Sequence, residues 1–208
     1  MQLKSSSFGH QQRIPDQFAF GVADAAQHLR LGANRNPHLA WSGVPAGTKS
    51  LVLLCVDSDV PTRPDDVNKE GHVVPASLPR ADFYHWLMVD IPPSVHEIAA
   101  GTCSDGIVPR GKSSPAGPPG ARQGVNDYTL WFGGDADMAG QYFGYDGPCP
   151  PWNDELLHHY HFVLYATDFA RCPVDGPFSG QQLRAALQGH VLEEARLTGT
   201  YSTNPKVR

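Results

Sequence analysis

The chain has 208 residues and a formal net charge of −5, and its lysines and arginines form no cluster. A nucleic-acid-binding protein needs a basic surface that replaces phosphate counterions, so the composition argues against that class of function. Hydrophobic residues make up 40% of the chain, which is enough to build one large domain spanning residues 1–208. The 21 glycines and 19 prolines favour many short strands joined by turns over long helices.

Three features of the sequence bear on its location. The longest apolar run, Leu51–Val56, is far too short to form a transmembrane helix. The first eight residues, MQLKSSSF, lack the apolar stretch of a secretory signal. The four cysteines are widely separated and form no CxxC pair, so no zinc or redox motif is predicted. We therefore expect a cytoplasmic protein with reduced thiols, no transmembrane segment and no cofactor.

The first half of the chain predicts two long strands. Trp41 reads as a strand end that runs into a proline- and glycine-containing turn. Leu51–Val56 is a continuous apolar run typical of a central buried strand, and Pro61 must end its hydrogen-bonded ladder. Phe83–Ile91 is the next predicted strand. The polar residues 62–82 between them predict a long loop, and loops of that length often have a function.

The second half predicts one helix among further strands. Tyr128–Phe132 is predicted to be a short strand, and His158–Tyr165 a longer one rich in aromatic and β-branched residues. Ser179 followed by Gln182 resembles a capping box at the start of a short helix. Alternating residues in Val191–Tyr201 predict a last strand. The fold class is therefore mainly β, with a short helix in the C-terminal region and long loops.

Polar residues stand at the ends of these predicted strands. Asp57 and Asp59 emerge together after the first buried strand. Residues two apart in a strand point to the same side, so His158 and Tyr160 share one face and His159 lies on the other.

The same alternation places His85 with Leu87 and Val89, on the predicted core side. Each of these polar residues, taken alone, is explained as a buried side chain with a backbone partner. Taken together, polar groups that converge within an apolar wall are typical of a small-ligand pocket.

Residues Gly106–Ser113 match the GxxxxGK[ST] pattern of phosphate-binding loops. That pattern binds phosphate only between a strand and a helix whose N-terminal N–H groups face the ligand. No buried strand is predicted before this segment, and the prolines and glycines of residues 114–120 prevent a helix after it. We therefore interpret the segment as a surface loop and not as a nucleotide-hydrolysing site.

Several blocks of the sequence resemble the phosphatidylethanolamine-binding protein family, which includes the Raf kinase inhibitor protein. Residues 57–61, DSDVP, resemble the family's D-P-D-x-P segment, and residues 85–92, HWLMVDIP, are similar to its H-W/F-x-x-x-x-I-P strand. Residues 147–151, GPCPP, followed by HHY at 158–160, resemble its G-P-x-P-P…H-R-Y signature. The blocks occur in family order over nearly the whole chain, and several are similar to the bacterial branch.

The resemblance implies an antiparallel β-sandwich with a shallow anion pocket. Three differences from the family pattern stand out: Ser58 replaces a proline, His159 replaces an arginine, and residues 152–157 replace a glycine-rich approach to the signature. The last difference predicts a bulkier and more acidic pocket rim. The residues implied to line the pocket or supply backbone donors to it are Asp57, Asp59, His85, Gly147, Pro148, Pro151, His158 and Tyr160.

The function predicted from these features is non-catalytic binding of a phosphate-bearing small molecule or phospholipid headgroup. Carboxylates near an anion make sense only if one of them pairs with a histidine and keeps it protonated, so that the imidazolium donates to the phosphate. Affinity is then expected to rise as the pH falls through the pocket histidines.

Two alternatives stay open. Eukaryotic members of the family regulate protein partners, so the resemblance implies that the chain could inhibit a kinase or a protease. The aromatic and proline-rich loop at 145–152 would permit a homodimer. A metal-dependent hydrolase could use Asp57 or Asp59 with His85 and His158, although no HExxH pattern supports it.

Overall fold

The structure, a computed structural model, describes residues 1–207 and consists mainly of β-strands. The helices in this part of the chain are α1 (Tyr128–Trp131), α2 (Gly180–Leu187) and a 3-10 helix (Asp16–Phe18). None of them is long and apolar enough to cross a membrane. The strands are β1 (Gln2–Lys4), β2 (Gln12–Arg13), β3 (Gly21–Asp24), β4 (His28–Leu31), β5 (Leu39–Ser42), β6 (Ser50–Pro61), β7 (Arg80–Ile91), β8 (Glu97–Ile98), β9 (Arg122–Gln123), β10 (His158–Thr167) and β11 (Val191–Tyr201).

The strands form a sandwich, as predicted. A six-stranded sheet has the order β2-β11-β10-β6-β7-β9, and all its pairs are antiparallel except β11–β2. A three-stranded sheet, β1-β5-β8, covers one face, and the main core between the two sheets includes Trp41, Leu53 and Phe162. The second face of the large sheet is covered by α2, whose Leu183 and Leu187 are buried there. The mainly β, antiparallel sandwich is therefore confirmed.

The long strands and the C-terminal helix lie where the sequence places them. The capping box is present, since Ser179 Oγ accepts from Gln182 N and the Gln182 side chain accepts from Ser179 N. Both β6 and β7 extend further than predicted, so the connecting segment is residues 62–79. The predicted loop at 62–82 is therefore three residues too long, because residues 80–82 belong to β7.

The short strand predicted at Tyr128–Phe132 is wrong, because this segment contains the helix α1. A polar side chain just before it favours a helical turn over a strand, because Asn126 Oδ1 accepts from Tyr128 N at 3.1 Å. The neighbouring Asp127 does not cap the helix but ties its start to β7, where Oδ2 accepts from Tyr84 N at 2.8 Å. Short side-chain acceptors at the beginning of a segment favour helix starts over sheet ladders.

A β-bulge in β7 reverses the side on which His85 was predicted to lie. Cys55 is opposite Trp86, but Val56 is opposite Tyr84, so His85 is the extra residue. Its ring packs against that of Tyr160 at a centroid distance of 5.2 Å, whereas Leu87 and Val89 face α2. The predicted grouping of His85 with Leu87 and Val89 is therefore wrong, because simple alternation does not hold across a bulge.

Hydrogen bonds, several of them made by the Asn153 side chain, fasten the segment 62–79 to residues 152–155. Asn153 Nδ2 donates to the carbonyl oxygens of Asp66 (2.8 Å) and His72 (3.1 Å), while its Oδ1 accepts from Asn68 N (3.0 Å). Val74 N donates to the Asn153 carbonyl oxygen at 3.0 Å. The segment 62–79 contributes Val67 and Asn68 to the wall of the candidate pocket, and residues 152–155 hold that segment in place.

Candidate ligand-binding pocket

A cavity of about 190 Å³ lies at the end of the large sheet where β6, β7 and β10 present their polar residues. Its polar floor consists of Asp57, His85, His158 and Tyr160, each no more than 3% exposed. The walls are mostly apolar and come from separate parts of the chain, including Phe20, Leu29, Leu31, Val60, Val67, Phe83, Tyr128, Trp131, Phe132 and Cys149. Such a cavity suits a ligand with one polar end and a carbon-rich remainder.

His158 lies between two carboxylates. Its Nδ1–H group donates to Asp57 Oδ2 at 2.7 Å, and its Nε2 faces Asp154 Oδ2 at 3.2 Å. Burial acts to lower the pKa of His158, but the two carboxylates outweigh it and raise the pKa to about 9. Burial likewise acts to raise the pKa of Asp57, and His158 outweighs it and lowers that pKa. His158 is therefore an imidazolium at neutral pH, with both N–H groups directed at carboxylates.

Arg80 completes this ion cluster from the first residue of β7. Its guanidinium binds Asp154 through two nitrogens, with Nη1–Oδ2 at 2.5 Å and Nη2–Oδ1 at 3.0 Å. Arg80 also donates to the carbonyl oxygens of Asp59 and Pro75, at 2.9 and 3.0 Å. The two cations balance the two carboxylates, Asp57 and Asp154, so the cluster has no net charge.

His85 is held in the opposite charge state. Its Nδ1–H group donates to the backbone oxygen of Asp146 at 2.8 Å, which leaves Nε2 for the cavity that the residue lines. Burial lowers the pKa of His85, and this outweighs the opposing influence of Asp57. His85 is therefore neutral at neutral pH, and its Nε2 is a hydrogen-bond acceptor until it gains a proton.

Tyr160 supplies the remaining polar atom of the floor. Its hydroxyl is buried and has no hydrogen-bond partner among residues 1–207. Burial, reinforced by the charge of Asp57, raises the pKa of this hydroxyl well above its ordinary value, so it keeps its proton. A buried hydroxyl without a partner costs stability unless a ligand or water binds it. The Asp57 carboxylate is close enough to influence this hydroxyl but does not meet hydrogen-bond geometry with it, so the hydroxyl is a donor that a ligand can engage beside the neutral His85.

A second buried cluster, centred on Asp146, positions His85. The Asp146 carboxylate accepts from Asn34 Nδ2 (2.7 Å), Asn126 Nδ2 (2.8 Å) and Lys112 Nζ (2.7 Å). Lys112 is the lysine of the phosphate-loop-like pattern, and residues 99–121 around it contain neither helix nor strand. The pattern is therefore explained by a lysine that serves as an internal counter-ion, which agrees with its interpretation as a loop.

The structure brings five of the eight predicted site residues to the cavity: Asp57, His85, Pro151, His158 and Tyr160. The other three do not line the cavity, and each is bound elsewhere. Asp59 follows an irregularity in β6 and accepts instead from His159 N at 2.8 Å. The Gly147 N–H group, expected to be a free donor, is bound to Asn34 Oδ1 at 2.8 Å. The Pro148 carbonyl oxygen accepts from Phe20 N at 2.9 Å.

Sequence reasoning missed the residues that fix the charge of the pocket. Asp154 lies within the segment 152–157, which was expected to make the rim more acidic. That expectation was the one feature of the sequence that pointed to it. No such feature pointed to Arg80, because it lies 74 positions from Asp154 in the chain. The aromatic walls were missed for the same reason, since they come from loops with no shared pattern.

Comparison with known proteins identifies the fold and its relatives. The phosphatidylethanolamine-binding protein family model matches residues 4–202. The chain belongs to this family. It is 30% identical to a UPF0098 protein of Methanothermobacter thermautotrophicus, over 97% of this chain and 98% of the relative. It is 33% identical to the UPF0098 protein YbhB of Escherichia coli, over 82% and 84% of the two chains. The crystal structure of Escherichia coli YbcL, described as a new member of the mammalian PEBP family, matches with a TM-score of 0.66 and 26% identity, covering 97% of both chains.

The polar side chains that residues 1–207 present to the cavity are not arranged as a metal-binding site. Among residues 1–207, no group of three or more histidine, cysteine, aspartate or glutamate side chains is placed to hold a metal ion. Both nitrogens of His158 face carboxylates, and Asp154 is bound by Arg80. Of the ligands named in the hydrolase alternative, His158 is thus engaged through both ring nitrogens, and Asp57 is one of its carboxylate partners.

The stability of the fold is expected to depend on pH through the two buried histidines. The His158 pKa is raised from 6.5 to about 9, so its contribution is complete below pH 6.5 and is lost as the pH rises through 9. We expect a loss of about 3 kcal/mol in the free energy of unfolding over that range. The His85 pKa is lowered, so stability also falls as the pH drops below 6.5 and this buried ring must accept a proton.

Urea unfolding at a series of pH values measures this dependence. The His158→Ala variant is the control, because the alkaline loss should be absent from it. A wild-type unfolding free energy that stays constant from neutral pH to about pH 9.5 would contradict the assigned charge state of His158.

Proposed function

We propose that this protein binds a small phosphate-bearing ligand, such as a phospholipid headgroup, in the cavity without covalent chemistry. The observation that carries the proposal is the pair of unused polar atoms at the floor, the Tyr160 hydroxyl and His85 Nε2, within apolar walls. A phosphate oxygen would accept from the hydroxyl, and the carbon part of the ligand would lie against the aromatic walls. The family to which the chain belongs is described by phosphatidylethanolamine binding, which agrees with this chemistry.

Binding of a phosphate is expected to transfer a proton to His85. An anion beside the ring favours its charged form, so Nε2 becomes a donor to a second phosphate oxygen. The ligand-free pKa of His85 lies below 6.5, so affinity increases as the pH falls towards that pKa. His158 stays charged throughout this range, since its pKa is about 9. The pH dependence of affinity, predicted from both pocket histidines, is thereby attributed to His85.

Three features support binding in preference to catalysis. Burial raises the pKa of the Cys149 thiol to about 12, so it is not a reactive thiolate. Ser58 Oγ lies next to His161 Nε2 at 3.2 Å, but neither residue lines the cavity. Asp59, on the same segment, contacts the outward-facing His159 and not the cavity floor. His158 is charged and bound on both sides, so it is not free to act as a general base.

Replacing the two proposed contacts should weaken binding. We expect His85→Gln and Tyr160→Phe each to reduce affinity for glycerophosphoethanolamine by about 10- to 100-fold, the worth of one hydrogen bond to a charged group. Isothermal titration calorimetry near pH 6 provides the measurement, and the wild type should bind more weakly near pH 8. His190→Gln is the matched control, because His190 is exposed and pairs with Asp168 away from the cavity. Equal affinity of all four proteins would refute the proposal.

The remaining expectations from the sequence stay predictions. A kinase- or protease-regulating role, a homodimer and a cytoplasmic location have no direct test in the structure. All four cysteines are free thiols, which supports the proposed reducing compartment.

A further inference from the structure

Within residues 1–207, the cations near the floor of the cavity are already paired. His158 directs one N–H group at Asp57 (2.7 Å) and the other at Asp154 (3.2 Å). Arg80 is bound to Asp154 through two nitrogens, and Lys112 to Asp146. In the part of the chain that the structure describes, Arg80 and Lys112 do not line the cavity, and the cation that does, His158, has both of its N–H groups directed at carboxylates.

Asp154 accepts from the Nε2–H group of His158, and its own bonds prevent it from moving aside readily. Its carboxylate is held by Arg80 at 2.5 and 3.0 Å, and Oδ1 also accepts from Leu156 N at 2.9 Å. The residue is 1% exposed and does not line the cavity, so it acts on a cavity ligand through its charge and through His158, and not by direct contact. The segment that carries Asp154 is itself fastened to residues 62–79, which limits its freedom further.

We infer that Asp154, fixed by Arg80, makes the pocket select a phosphate group with one negative charge, a phosphodiester, over a doubly charged phosphomonoester. This inference rests on the proposed function. Protonation of His85 balances one ligand charge. A second charge would face the Asp57 carboxylate beside a cluster of no net charge, because Asp57 and Asp154 offset both His158 and Arg80. A phosphodiester also carries two carbon substituents, which suit the apolar walls.

Of the ionisable side chains of residues 1–207 that line the cavity, His85 is the one whose charge changes on the acid side of the ordinary histidine pKa, because burial lowers its pKa. The His158 pKa is about 9, and the pKa of Asp57 is lowered by His158 against the opposing influence of burial. Asp154 also has a lowered pKa, through its bonds to His158 and Arg80, which outweigh burial. Burial raises the pKa of the other three groups, Tyr128, Cys149 and Tyr160.

The wild-type protein alone tests the inference. Methyl phosphate has a second pKa of about 6, so it is doubly charged near pH 8 and mostly singly charged near pH 5, whereas dimethyl phosphate keeps one charge. We expect the ratio of diester to monoester affinity, measured by calorimetry, to be at least about tenfold higher near pH 8 than near pH 5. Titration of His85 affects both ligands and cancels in the ratio. A ratio that does not change with pH would overturn the inference.

A charge-removing variant gives the second test. Asp154→Asn should tighten methyl phosphate binding near pH 8 by at least about tenfold and dimethyl phosphate binding by less. The matched control is Asp90→Asn, which also removes a largely buried aspartate paired with an arginine, Arg122 at 2.6 Å, but not at the cavity. If Asp154→Asn fails to fold, the wild-type pH comparison decides. An unchanged preference in a folded Asp154→Asn protein would overturn the inference.

The outcomes distinguish a failure of the proposed function from a failure of the role of Asp154. If dimethyl phosphate binds but methyl phosphate binds equally well near pH 8, the proposed function stands and the role of Asp154 is wrong. If none of the probes binds the wild type, both fall. Glycerophosphoethanolamine, added as a third probe, distinguishes a lipid headgroup from a free diester, since only the headgroup has the glycerol and amine groups.

Discussion

Replacing His158 with alanine is expected to lower the free energy of unfolding by about 3–5 kcal/mol, the usual cost of removing one partner from a buried ion pair. The imidazolium is fully buried between Asp57 and Asp154, which are each 1% exposed. Without it, Asp57 becomes a buried charge that has lost its cation, and Asp154 keeps only Arg80. Chemical denaturation near neutral pH, followed by circular dichroism, gives the unfolding free energies.

Two comparisons make this result specific to the ion cluster. His161→Ala removes a histidine from the same strand on the opposite face, where it is half-buried, and should cost no more than about 1 kcal/mol. Adding Asp57→Asn to the His158→Ala variant should recover part of the loss, because the orphaned charge is then removed. If His158→Ala costs no more than His161→Ala, the cluster does not contribute as described.

Asp146→Asn is the second substitution with a large expected effect, again about 3–5 kcal/mol. The change is nearly isosteric, but it leaves the Lys112 ammonium without its counter-ion. In the wild type, the Asn34 and Asn126 amides donate to the Asp146 carboxylate. The substitution places an amide group, which is a donor on one side and a weaker acceptor on the other, against these two amides. Because the Asp146 backbone holds His85, ligand binding should weaken in the fraction that stays folded.

The matched control for this variant is Asp168→Asn. Asp168 pairs with His190 at 2.8 Å, but both side chains are about half exposed, so the pair is expected to contribute no more than about 1 kcal/mol. Unfolding free energies measured for both variants under one set of conditions decide the matter. Similar small losses in the two proteins would show that the Asp146 cluster is not a major source of stability.

Local patterns were enough to predict the long strands and the C-terminal helix, whereas the antiparallel sandwich was implied by the family resemblance. The run Leu51–Val56 has no polar interruption, and a strand buried on both faces follows directly from that. The capping box at Ser179 and Gln182 specifies its helix through bonds within four residues. The pocket's position followed from the family-like blocks at the strand ends.

Features that depend on long-range contacts could not be predicted. The bulge at His85 depends on how β7 pairs with β6, and alternation within β7 alone gives the wrong face. Asp59 was expected beside Asp57, but the irregular pairing after Asp57 turns it to the other side of the sheet. The charge of the cavity depends on Arg80 and Asp154, which meet only in the folded chain.

The most direct test of the central claim is nuclear magnetic resonance of the histidine rings during a titration with glycerophosphoethanolamine near pH 6.5. The chain has ten histidines, and the His85→Gln spectrum identifies the His85 signals. We expect the His85 ring nitrogens to move towards imidazolium values as ligand is added, while His158 is already charged and the outward-facing His159 and His161 do not change. No change at His85, or a change only at His159 and His161, would contradict a ligand site in this cavity.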